Sequence, residues 1–362
     1  MNNSIEKIRK GVVNLLVNCA GASPGDSVLL VGESGKESYF SETLCALVTT
    51  VANQMDLTTE IVIAEPVADA SQFPIHVSER MQLADITIFF SRLGDQVRFT
   101  ESPGTGKKIM TYALTEEYFR SPFSQIDHKS MQAMHDILVE KIESSSQYQI
   151  TAPCGTALRG KIGTKFSPET SATTDFSVDI FPVMIFPPIN IYSLNGELTL
   201  SNFLTSSSTR SYDNSVLYID TPVTAIVEDS RMEDFTGDVK QIKKIKYQLE
   251  NAAQITGGDP YRINSWHTGI NPFSFYNENP HTNLERWGTA AFGSPRYTHF
   301  HASGHNPGDI AIQLFDASIQ FNDEYYWDAG QFTFLRREEI LNLYPKEIHQ
   351  QLFHTSLENI GL

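Results

Sequence analysis

SPGDSVLLVGE, residues 23–33, decides the fold. Pro24, Gly25 and Asp26 form a turn, and Val28 to Val31 make an unbroken apolar run. A strand that is apolar at every position has both faces covered, as in a parallel sheet sandwiched between helices. The flanking sequence agrees. Upstream, Ile5, Ile8, Val12, Leu15 and Leu16 fall on one face of an amphipathic helix, and Glu6, Asn14 and Asn18 break up what would otherwise resemble a leader peptide. Downstream, residues 42–55 have helical spacing, TEIVIAE (59–65) is a second strand, and VSERMQLADITIFFS gives a short helix and a third strand at 86–90. KKIMTYA (107–113) is a fourth strand, and Asp127 is placed to cap a helix that runs to residue 143.

After Tyr148 the texture changes. QITAPCGTALRGKIG, FPVMIFPPINIYSLNGELTL and SVLYIDTPVTAIVED are short β runs punctuated by Gly, Pro and Asn. Residues 239–252 read as a helix, and the chain closes on helical segments after residue 338. The expected fold class is α/β. An N-terminal, doubly wound, mostly parallel sheet domain (1–150) precedes a β-rich α+β domain (151–362), with a cleft between them.

The net charge of −16 repels phosphate backbones, and no basic run opposes it, so nucleic acid is not an expected partner. No apolar run approaches the roughly 20 residues that cross a bilayer, so no membrane association is expected. Three cysteines without CxxC spacing point to a reducing, cytoplasmic setting. Two glycine-rich loops imitate phosphate cradles and fail. GESGKES (32–38) has two residues where the P-loop needs four, and SPGTGKK (102–108) precedes a strand instead of a helix. GxGxxG, GxSxG and HExxH are absent.

Several segments, in order over some 300 residues, resemble the aminopeptidase T-like family of metallopeptidases. They are SPGDSVLLVGE, LADITIFFS, ITAPCGTALRGKI, the Pro-Val-Met-Ile-Phe segment with its later Asn-Gly, GINP (269–272), WGTAAFGS (287–294), SGHNPGDIAIQL (303–314) and FNDEYYWDAGQF (321–332). The resemblance implies one of two chemistries: paired divalent metals held by carboxylates and histidines, or the single non-haem iron of the related 2,5-dihydroxypyridine dioxygenase branch. Matched position by position, the family's glutamate falls on Ile185. Its acidic ligand before GINP falls on Ser265, or on His267 if two residues are deleted. Its first histidine is lost from the stretch containing Ala290 and Ala291, its tyrosine matches Tyr297, and its final histidine and aspartate become Ala311 and Gln313. Ile and Ala offer no lone pair, and Gln offers only a neutral carbonyl, so the inherited ligand set is not expected to hold an ion.

YTHFHASGHNPGD (297–309) supplies other donors. If the segment is extended, His299 and His301 share a face, and His267 or Asp309 can complete a metal site with them. One histidine can equally serve as a general base beside Asp309 or Tyr297. The plainer alternative is an exposed loop with solvated imidazoles. Cys154 reads as a buried structural thiol, and Asp95 and Arg98 as loop charges beside the cleft.

The leading expectation is a metal-independent descendant that needs no cofactor. It binds a small amino-acid-derived, aromatic or peptide-like molecule and transforms it by acid–base or hydrolytic chemistry, in a specialised biosynthetic setting. His267, His299, His301, Tyr297 and Asp309 are the expected catalytic residues. Ile185, Trp266, Asn271, His305, Ala311 and Gln313 are the expected ligand-binding residues. Two alternatives remain: a metalloenzyme with one Fe or Zn ion in a rebuilt histidine site, and a non-catalytic binding protein. The resemblance also implies a homodimer.

Overall fold

The computed structural model describes residues 2–35, 37–98, 100–163, 177–191, 193–207, 213–305, 308–354 and 360–361. The chain forms two compact units. The first is built mainly from Met1–Gln132, and the second takes most of the chain from Ala133 onward.

The first unit holds a five-stranded parallel sheet. Four of its strands are β1 (Ser27–Glu33), β2 (Thr58–Ala64), β3 (Ile86–Phe90) and β4 (Lys107–Thr111), in the order β2-β1-β3-β4, and the fifth lies beside β4. Val28, Leu29, Leu30 and Val31 are each at most 1% exposed, as a strand covered on both faces requires. The N-terminal helix Asn2–Val13 continues as a π-helix over Asn14–Cys19, and Val12, Leu15 and Leu16 are fully buried. After β5 (Gln147–Thr151) and β6 (Ala157–Lys161), the chain returns to this sheet. Strand β7 (Asp179–Phe181), beyond the expected boundary at residue 150, pairs in parallel with β4. Three residues are too few to show a readable period.

The second unit is a large antiparallel sheet. It contains β5, β6, β8 (Ile189–Asn190), β9 (Leu194–Ser206), β10 (Leu217–Glu228), β11 (Arg231–Thr236), β12 (Asp259–Thr268), β13 (Tyr297–Gly304), β14 (Ile310–Phe315), β15 (Ser318–Phe321) and β16 (Glu324–Trp327). The order β10-β11-β12-β13-β14-β9 closes on itself because β9 also pairs with β10. The α/β plus β-rich class expected from the sequence is the class observed. Helix Val239–Thr256 starts at Asp238, whose carboxylate accepts from the Gln241 N–H at 2.9 Å, and it buries Ile245, Leu249 and Ala252.

On β12, β13 and β14, alternation sorts the side chains onto two faces. Trp266, Phe300 and Ile312 are in register on one face and are fully buried. Trp266 sits there among Tyr148, Phe186, Phe300 and Phe321, with ring centroids 5.1–6.4 Å away. The opposite face carries the histidines.

Candidate metal centre

Cross-strand register brings the histidines together. His267 on β12 faces His299 on β13, which faces Gln313 on β14. One step along, Ser265 faces His301, which faces Ala311. Residues opposite one another in an antiparallel pair share a face, and so do residues two apart on a strand. The three imidazoles are therefore neighbours. Nε2 of His267 lies 2.7 Å from Nε2 of His299 and 3.2 Å from Nε2 of His301. One ring nitrogen from each histidine falls within 4.8 Å of the others.

The His267 ring is oriented by the backbone: its Nδ1 lies 3.2 Å from the Phe186 carbonyl oxygen. A carbonyl can only accept, so Nδ1 carries a proton, and in the neutral ring Nε2 is the nitrogen left with a lone pair toward the other two rings. His267 and His299 are buried, whereas His301 keeps partial exposure. Burial, reinforced by the neighbouring His267 and His301, holds the His299 imidazole well below its ordinary range. Burial brings His301 down to about 4. Both rings are thus neutral at neutral pH, the form that ligates a metal.

The donor set fits one divalent transition ion. With nitrogens at about 2.0–2.1 Å and angles between octahedral and tetrahedral, adjacent donors stand about 2.8–3.4 Å apart. The two Nε2 separations, 2.7 and 3.2 Å, are close to that spacing. The outer shell is incomplete. Nδ1 of His299 and of His301 is buried without a hydrogen-bond partner, where a ligating histidine usually donates to a carboxylate or carbonyl.

The other expected site residues are distributed around this centre. Tyr297 stacks on the His299 ring, with centroids 5.2 Å apart, and burial pushes its phenol well up. Ala311 and Gln313, where the resemblance puts the family's lost histidine and aspartate, are the register partners of His301 and His299. His301 and His299 thus stand one strand away from Ala311 and Gln313. Ile185 is bridged to Gly269, two residues beyond His267, and precedes the Phe186 carbonyl.

Four of the expected residues stand apart from the three imidazoles. Trp266 packs on the opposite face of β12 and does not line the centre. Asn271 is a loop residue whose Oδ1 accepts from the Phe273 N–H at 2.9 Å. His305 lies past the end of β13, packed against Gly257. Asp309 turns its carboxylate toward Gly304 and is not grouped with the three imidazoles.

Elsewhere, Cys154 is exposed instead of buried, with Sγ 3.5 Å from Thr156 Oγ1. Asp95 is in a short helix, Leu93–Val97, and accepts from the Tyr112 hydroxyl at 2.5 Å. Lys108 donates to the Gly104 and Gly106 carbonyls of its own loop, so its ammonium is committed to structure. Sequence reasoning missed the Phe186 carbonyl and Thr205. Thr205 faces Ala311 and accepts from Gln313 Nε2 at 3.1 Å. A backbone acceptor leaves no side-chain signal to find.

No family model matches the chain, and no curated protein is detectably similar to it in sequence. Among solved structures it is similar to 2,5-dihydroxypyridine dioxygenase from Pseudomonas putida KT2440, with TM-score 0.58 and 11% identity over 89% of this chain and 96% of that one. AmpT from Thermus thermophilus gives TM-score 0.48 and 10% identity over 90% and 99%. At 11% identity the likeness to the dioxygenase is one of fold. Among the described residues, no helix is long and apolar enough to cross a membrane.

Proposed function

We propose that His267, His299 and His301 hold one divalent transition-metal ion, with iron as the first choice, and that the chain is a mononuclear oxygenase acting on a small molecule. The convergence of three imidazoles from two adjacent strands carries this reading. The fold shared with a dioxygenase supports iron over zinc. Bound iron supplies one-electron and dioxygen chemistry. The protein's part is to fix the three rings. The Phe186 carbonyl sets the tautomer of His267, Tyr297 braces His299, and the partial exposure of His301 leaves a way in from solvent.

Elemental analysis of the purified full chain after anaerobic reconstitution with ferrous iron tests the proposal. About one iron per chain, lost in His301→Ala, is expected. Equal metal content in the wild type and the variant contradicts it, and zinc in place of iron moves the reading to metal-assisted hydrolysis.

A second reading, metal-free binding or acid–base chemistry at the same rings, is favoured by the two unpartnered Nδ1 atoms. It predicts activity or ligand binding that survives exhaustive chelation.

A further inference from the structure

The two rows of residues that frame the histidines contain no charged side chain. In register, one row is Asn190, Ser265, His301, Ala311 and Thr205, and the other is His267, His299 and Gln313. The carboxylate of Asp309 on β14's approach is turned toward Gly304. A dication held by three neutral donors keeps its full charge, and a largely buried charge without a counter-charge is strongly disfavoured. These rows supply no counter-charge, which leaves that part to an anionic ligand.

Gln313 is 1% exposed and is the register partner of His299. Its Nε2 donates to Thr205 Oγ1, its side chain also meets the Tyr297 phenol, and its Oε1 is buried without a hydrogen-bond partner. Leaving a buried amide oxygen bare is costly, so this acceptor on the register partner of His299 marks a place for a hydroxyl or N–H.

We propose, resting on the metal reading above, that the molecule completing this site is a small oxygen anion, a carboxylate or enolate with an adjacent hydroxyl, and that Gln313 receives that hydroxyl. The anion's charge balances the ion, and its hydroxyl donates to Gln313 Oε1.

The test uses the cobalt(II)-loaded full chain, with visible absorption as the readout and glycolate, acetate and glycolamide as probes. Glycolate is expected to bind at least about tenfold more tightly than neutral glycolamide, because attraction between opposite charges strengthens in a partly desolvated site. It is also expected to bind more tightly than acetate, a preference that Gln313→Met should erase. Gln313→Glu builds the counter-charge into the wall, so it should tighten cobalt and weaken glycolate at least about tenfold. Equal affinities for glycolate and glycolamide overturn the inference while leaving the metal site standing. A glycolate preference over acetate that persists in Gln313→Met removes Gln313 from it. A chain that takes up no cobalt brings down both this inference and the metal reading.

Discussion

An ion bound only by the folded chain must raise its melting temperature, and the amount follows from the structure. All three donors lie in the second unit, on β12 and β13, and these strands cannot separate without breaking the site. At a cobalt(II) concentration one hundred times its Kd, linkage adds about 2.7 kcal/mol to the stability of that unit. For a unit of roughly 200 residues, each kcal/mol is worth about 2–4 °C, so the expected rise is about 5–11 °C. The perturbation is His301→Ala. This removes the most exposed of the three rings and so disturbs packing least. Thermal denaturation followed by near-ultraviolet circular dichroism, with and without cobalt, reads both proteins. The wild type should show the rise and the variant should show little of it, even though their ion-free transitions lie close together. A rise of the same size in both proteins would refute the assignment of the ion to these rings.

Three other outcomes follow from particular contacts. Gly308 has φ +113°, and a Cβ there would stand 2.7 Å from the His301 carbonyl carbon, so Gly308→Ala should cost about 1–3 kcal/mol and weaken cobalt at least about tenfold by isothermal titration. Trp266→Ala should destabilise the second unit by about 3–5 kcal/mol in urea, through lost packing, while a chain that still folds keeps its metal content. Burial of His128 against Phe181 lowers its pKa from 6.5 to about 4, so the unfolded chain takes up a proton that the folded chain refuses as pH falls through that window. His128's contribution is complete above pH 6.5 and is reduced by about 1.4 kcal/mol at pH 5.5; His128→Phe should flatten that part of the pH–stability curve.

The parallel sheet was legible because its strands are continuous apolar runs. The run at 86–90 is observed as Ile86–Phe90, and the capped helix at 127–143 as His128–Glu143. The pairing of His299 with His301 was also legible, since it needs only a period of two. Bringing His267 to them was left open, because that depends on the register of a hairpin whose connection spans residues 269–296 and includes the helix Leu284–Ala291. The same register separates Trp266 from its neighbour His267: adjacent residues on a strand point to opposite faces, and only the fold says which face is core. Asp309 and His305 were grouped with the cluster by proximity in sequence. The left-handed turn at Ser303, Gly304 and Gly308 carries them away from it. Strand β7 was invisible because three residues hold no period.

Anomalous diffraction from crystals of the iron- or cobalt-loaded full chain, recorded at the absorption edge of the ion, is the most direct measurement. A single peak should appear about 2.1 Å from one ring nitrogen of each of His267, His299 and His301. A peak bound by other residues, or bare imidazoles at this position in a chain shown to carry one ion, would contradict the three-histidine centre.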